Sequence, residues 1–155
     1  MALTQLLKPH EEKRCPARFQ QQYAAEMEPV RILVADDKPE MRKLIANRLR
    51  KEGYEVIEAE DGASLIDKII RGIADERVPR PPDLIITDVR MPGMSGLEVL
   101  AHLRRNDWAT PVILITAFGD EKTHAEAERL GAATVLDKPF DMDDLMYSVF
   151  AYAEP

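Results

Sequence analysis

The stretch Pro82-Asp-Leu-Ile-Ile-Thr-Asp88-Val-Arg-Met-Pro-Gly93 joins an apolar run too short for a helix to a loop rich in Pro and Gly, with an acid at the junction. Leu84 to Thr87 are apolar or β-branched without polar alternation, the pattern of a strand covered on both faces in the middle of a parallel sheet. Asp88 then stands at the strand's carboxyl end, the edge where open α/β sheets place ligands and chemistry. Alone, an Asp there reads as a turn residue or helix cap. The other residues delivered to the same edge decide its meaning.

The flanking sequence alternates strand and helix. Arg31 to Ala35 is a first buried strand. Pro39 suits the first turn of a helix in which Met41, Leu44, Ile45 and Leu49 recur at helical spacing, stopped by Gly53. Tyr54 to Glu58 is a second strand whose polar alternation suggests a sheet edge, and Asp61 caps a helix carrying Leu65, Ile66, Ile69 and Ile70. Asp75 to Pro82, with three prolines, is a linker. Ser95-Gly-Leu-Glu98 has the capping-box pattern before Leu97, Leu100 and Leu103, so Ser95 reads as a cap and not a nucleophile. Pro111 to Ile115 is a fourth strand, followed by a polar helix from Asp120 to Leu130 anchored only by Ala125, Ala127 and Leu130. Ala133 to Leu136 is a fifth strand, and Asp141 caps a last helix with Leu145, Val149 and Phe150 inward. Five βα units with right-handed crossovers predict an α/β fold, a five-stranded, parallel, doubly wound sheet.

Composition removes several functional classes. The 155 residues allow one domain, read as 30–155, plus an appendage over 1–29 that Pro9, Pro16 and Pro29 interrupt and in which Gln20 to Met27 has helical character. The appendage carries four basic and four acidic residues, so the net charge of -7 belongs to the main domain and argues against nucleic-acid binding through phosphates. A single cysteine, Cys15, and the lack of any apolar run of transmembrane length indicate a soluble protein of a reducing, cytoplasmic compartment, without membrane insertion. Met1 to Arg14 lacks the apolar core of a signal peptide. His10, His102 and His124 have no metal-ligand spacing, and Trp108 reads as a rim residue before the fourth strand.

The strand ends can now be compared. Strand one ends in Asp36-Asp37, strand three in Asp88, strand four in Thr116 and strand five in Asp137-Lys138-Pro139. A reversal of strand order at strand one would set strands one and three side by side and bring their acids to one crevice. Three carboxylates about 5 Å apart repel by roughly 3 kcal/mol per pair at an effective dielectric near 20. Such a cluster calls for a cation, and all-oxygen ligands with room for water and phosphate suit Mg2+.

Val34-Ala-Asp36-Asp37, Asp88 with Met91-Pro-Gly-Met-Ser-Gly96, Thr116-Ala117 and Lys138-Pro139-Phe140 together resemble the receiver domain of two-component response regulators, over about Arg31 to Tyr152. The resemblance implies a flavodoxin-like fold in which Asp88 is the phosphoacceptor. It implies that Asp37 and Asp88 hold Mg2+ with the backbone carbonyl of Arg90, Asp36 assisting through water. Lys138, the Thr116 hydroxyl and the Ala117 backbone would bind the phosphoryl group. The implied donor is a sensor histidine kinase or a histidine phosphotransfer protein, and the output is contact with a downstream protein target. Ending just after the last helix, the chain reads as a stand-alone switch that assists only its own phosphorylation and dephosphorylation. The polar helix after strand four is the element expected to shift.

Two positions depart from the family pattern. Val135 stands where many relatives carry an aromatic that turns inward on activation, with Phe118 a substitute by proximity only. Arg90 and Phe118 flank the expected phosphoryl site, where side chains hinder or admit attacking water. Two other readings compete. An Mg2+-dependent phosphohydrolase with an Asp nucleophile would place its acids as Asp-x-Asp on one strand, whereas here Asp36 and Asp37 are adjacent. A flavodoxin-like nucleotide binder would need a Gly-rich or Ser/Thr-rich phosphate loop after strand one, which is absent.

Overall fold

The computed structural model describes residues 29–74, 81–117 and 120–153. The expectations for residues 1–28, for most of the Asp75 to Pro82 linker and for Phe118 lie outside the described residues. The chain runs β1 (Arg31–Ala35), α1 (Pro39–Lys51), β2 (Glu55–Ala59), α2 (Gly62–Ala74) and β3 (Leu84–Asp88). It continues through α3 (Gly96–Arg105), β4 (Val112–Thr116), α4 (Glu121–Arg129), β5 (Thr134–Asp137) and α5 (Met142–Tyr152). The five strands form one parallel sheet in the order β2-β1-β3-β4-β5. Strand order therefore reverses at β1, which pairs with both β2 and β3.

Period-two alternation divides the strand side chains between two cores. Ile32, Val34, Ile86, Ile113 and Ile115 pack on one face against Ile45 and Leu49 of α1 and Leu145, Met146 and Val149 of α5. Leu33, Ala35, Ile85 and Leu114 pack on the other against Leu65 and Ile69 of α2, Val99, Leu100 and Leu103 of α3, and Ala127 of α4. With both faces covered, β1, β3 and β4 are buried along their whole length, and each fully buried Leu or Ile contributes about 1.5–3 kcal/mol. The strands are rigid, and side chains at their carboxyl ends inherit that rigidity.

Local chemistry accounts for several helix boundaries. Asp61 Oδ1 accepts the Ser64 N–H at 2.7 Å, Ser95 Oγ accepts the Glu98 N–H at 3.1 Å, and Asp120 Oδ1 accepts the Thr123 N–H at 2.8 Å. Gly53 and Gly131, at φ +93° and +81°, end α1 and α4 in the left-handed region. At α5 the expected cap differs: the Asp141 carboxylate makes no capping bond, and its backbone carbonyl accepts from Asp144 and Leu145 instead. Leu44 and Phe150, expected inward, are 57% and 55% exposed. Each precedes or follows a core residue by one position, about 100° around the helix, and Met146 fills the place assigned to Phe150. Ala125 is exposed too, which leaves α4 anchored by Ala127 and the half-buried Leu130.

β2 is an edge strand, and side chains cover its outer side. Glu58 pairs with Arg42 at 3.4 Å and with Arg50 at 3.1 Å. Arg50 also donates to the Val56 carbonyl at 3.4 Å, and the Lys68 ammonium donates to the Glu58 carbonyl.

Candidate functional site

Register determines what meets at the carboxyl edge. Ala35 lies opposite Thr87, Asp88 opposite Ile115 and Thr116 opposite Asp137, so β1, β3, β4 and β5 deliver their terminal residues at one level. Asp36, Asp37 and Asp88 come together there, each offering a carboxylate oxygen within 4.8 Å of the others. Asp36 and Asp88 are buried, and Asp37 faces solvent.

Lys138 completes the cluster. Its ammonium lies 2.9 Å from Asp88 Oδ2, while the Arg90 N–H reaches Asp88 Oδ1 at 3.3 Å. One carboxylate oxygen therefore faces a point charge and the other a backbone donor. Lys138, which precedes a cis bond to Pro139, is placed by its own N–H, which donates to the Thr116 carbonyl at 2.7 Å. That bond ties the end of β4 to the residue after β5. Thr116 itself is 1% exposed beside them. Ala117, next in the chain, is at the surface.

The acids are crowded. Burial pushes the Asp36 carboxyl above its ordinary range, the Asp88 and Asp37 charges push it further, and the Lys38 N–H and the Lys138 ammonium oppose the rise. The Lys38 N–H donates to Asp36 Oδ1 at 2.9 Å. Within this group of three carboxylates, one lysine offsets one charge. A hard, oxygen-seeking divalent cation fits the donor set, which contains no sulfur or imidazole.

Sequence reasoning placed these acids, Thr116 and Lys138 at one edge, and the structure brings them together. It missed the parts that hold the edge in shape. Arg42, one turn into α1, donates to the Asp36 carbonyl at 2.9 Å and so fixes the loop carrying the two adjacent acids. Gly96, read as part of a capping box and of the Met91 to Gly96 motif, passes so close to β3 that a Cβ would lie 2.4 Å from the Asp88 carbonyl oxygen. Its N–H donates to the Val89 carbonyl at 2.9 Å. Only a position lacking a side chain allows α3 to start there. The signal was present, a Gly eight residues after the acid, but its reason is tertiary. His124 is 2.9 Å from Asp137, joining α4 to the end of β5. Val135 is half-buried against the α2/α3 core, so no aromatic occupies that position.

The family model described as the response regulator receiver domain matches residues 32–150. The chain belongs to the response regulator receiver family. It is 35% identical over 122 residues to sporulation initiation phosphotransferase F of Bacillus subtilis, covering 79% of this chain and 92% of that protein. It is 36% identical over 115 residues to the regulatory protein AtoC of Escherichia coli, covering 74% of this chain but 23% of that protein. In three dimensions it is similar to the Vibrio cholerae chemotaxis protein CheY4, with a TM-score of 0.71 at 28% identity, covering 81% of this chain and 99% of that one. As a receiver domain of the two-component class, the chain is built like signalling proteins that take input from histidine kinases and act on downstream targets. Among the described residues no helix is long and apolar enough to cross a membrane.

Proposed function

We propose that the receiver domain, residues 30–155 with 1–29 as an extension, is a phosphoacceptor switch of a two-component or phosphorelay system. Asp88 takes the phosphoryl group from a phosphohistidine on a sensor histidine kinase or a histidine phosphotransfer protein. The observation that carries this reading is the Lys138 ammonium 2.9 Å from Asp88 Oδ2 inside a cluster of three carboxylates. A structural acid at a strand end needs a cap and one donor; it does not need two further acids beside it.

Asp36, Asp37, Asp88 and the Arg90 backbone carbonyl would hold Mg2+, whose chemistry there is to offset negative charge between carboxylate and phosphoryl oxygens. The chain's own residues do the remainder. An Asp88 oxygen forms the new P–O bond as the P–N bond breaks, and the bonding pair stays with the imidazole nitrogen, which takes up a proton. Lys138 follows the charge from the carboxylate to a phosphoryl oxygen, and a flexible ammonium suits that movement. The Thr116 hydroxyl and the Ala117 N–H supply further donors at the end of β4. Inward movement of Thr116 draws on α4, whose thin apolar anchorage makes it the mobile element. Output is contact with a protein target in the cytoplasm, and hydrolysis at the same site resets the switch, so the domain catalyses only its own chemistry.

Intact mass after incubation with acetyl phosphate, with Mg2+ or with a chelator, tests this on the wild type and Asp88→Asn. A single phosphoryl adduct that needs Mg2+ and disappears in the variant is expected. Catalytic consumption of the donor without an adduct would favour the phosphohydrolase reading instead.

A further inference from the structure

Four of the five large apolar side chains exposed among the described residues belong to α1 and α5: Leu44, Tyr147, Phe150 and Tyr152. Both helices follow strands of one parallel sheet and cover the same face, so both run from its carboxyl edge back to its amino edge. Arg48, one turn after Leu44, reaches Asp143 at 3.1 Å, so that stripe of α1 faces α5. Tyr147 and Phe150 follow Asp143 at i+4 and i+7, and Phe150 turns its ring onto Tyr54 at the amino edge, with centroids 6.4 Å apart. Leu44, Phe150 and Tyr147, the last 78% exposed, thus rim an apolar groove along the seam. The chain enters the described structure beside it. Val30 packs on the same core as α1 and α5, and its carbonyl accepts the Glu55 N–H at 3.0 Å, which sets it next to Tyr54 and so close to Phe150.

We propose that the chain's own N-terminal extension fills this groove, residues 16–27 lying as a helix along the seam and parallel to α1 and α5. The sequence bounds that helix at both ends: Pro16 suits a first turn, and Pro29 disfavours helix at Glu28. Between them Phe19, Tyr23 and Met27 recur at i, i+4 and i+8, one apolar stripe with Gln21, Ala25 and Glu28 on the opposite side. A helix over 16–27 is about 18 Å long, too short to be stable alone in water, so its stripe needs a surface to pack on. Direction and reach both fit. The extension must arrive at the amino edge to enter β1, so it runs the same way as the two helices beneath it. The three residues from Met27 to Val30 span about 10 Å when extended, enough for the methionine side chain to reach the Phe150 ring. Tyr23, one turn earlier, then falls on Tyr147. The charges match end for end. Arg18 is nine residues before Met27 and Asp143 is seven before Phe150, about 13 Å and about 10 Å along the axes, so Arg18 comes level with Asp143 and Asp144 at the start of α5. Glu26 and Glu28 come level with Lys51 at the end of α1. The Asp143 side chain, 88% exposed, has room for a second cation beside Arg48.

The test is disulfide trapping in the full chain, with Cys15→Ser as background. Tyr23→Cys is combined with Tyr147→Cys and, as a control, with Ile70→Cys, an exposed position on α2 across the sheet. Both partners of Tyr23 are surface changes that leave the core intact. Under copper–phenanthroline oxidation the pair at Tyr23 and Tyr147 is expected to close within one chain about tenfold faster than the control, read by electrophoresis without reductant. Adding Phe19→Asp, a change confined to the extension, is expected to slow that pair to the control rate. Equal rates for the two pairs, or a rate indifferent to Phe19→Asp, would show a tether without a docking site and overturn the proposal. A disulfide formed mainly between chains overturns it too and gives the groove to a second copy.

Discussion

Replacing Asp36 by Asn is expected to stabilise the metal-free protein. The Asn Oδ1 retains the acceptor that the Lys38 N–H uses at 2.9 Å, and its new amide donor faces neighbouring carboxylates, so no hydrogen bond is left unmade. The charge is lost. Carboxylate oxygens at the outer limit of that cluster, 4.8 Å apart, repel by about 3.5 kcal/mol at an effective dielectric near 20. Asp37 is exposed and its share is screened, and Lys138 already offsets part of the Asp88 charge. A net gain of about 2 kcal/mol remains, or about 6 °C in Tm for a chain of this size. The sign with pH follows from the raised carboxyl. Above the folded value Asp36 is ionised in both states and the full penalty applies. Between the folded value and 3.8 the folded state binds the proton first, and below 3.8 no difference remains. The advantage of Asp36→Asn should therefore be greatest near neutral pH and vanish on acidification. Excess Mg2+ should erase or reverse it, because the wild type then gains the cation that the variant holds less well. Thermal unfolding of both proteins in chelator across pH, and again with Mg2+, provides the measurement. A variant less stable than wild type at neutral pH in chelator would refute the reasoning.

Lys138→Met leaves the Asp88 carboxylate buried without its cation and should cost about 3 kcal/mol in urea unfolding, an effect that Asp88→Asn in the same chain should largely cancel. Gly96→Ala forces the start of α3 away from the Asp88 carbonyl; a loss of about 1–3 kcal/mol is expected from overpacking, and an unchanged Tm would show that the loop yields freely. Ser95→Ala removes only the cap on the Glu98 N–H and should lower stability by about 1 kcal/mol without altering phosphoryl uptake. Arg90→Ala should change the lifetime of the phosphorylated form, read by mass as decay after donor removal; equal decay rates would take the side chain out of the account.

The parts of the site legible from sequence are those that depend on one element at a time. An apolar run ending in Asp, Thr or Asp-Lys-Pro announces a strand and what it presents, whereas β1 beside β3 entered only as a condition that the strand order then met. The contacts of Arg42 with the Asp36 carbonyl and of Gly96 with β3 join elements whose relative heights no periodicity records. Leu44 and Phe150 show the same limit in reverse: apolar type suggested burial, but one position along a helix decides which side of the buried stripe a residue takes.

The arrangement at β2 bears on behaviour at high concentration. In a parallel strand alternate residues turn their peptide groups outward, and at β2 these are Val56 and Glu58, since Glu55 and Ala59 bond toward β1 and its following loop. Both outward carbonyls already receive a donor, from Arg50 and from Lys68. A foreign strand approaching this edge would meet two carbonyls already bonded to cations and would have to displace both to complete a ladder, so sheet extension and the aggregation it seeds are disfavoured at that margin.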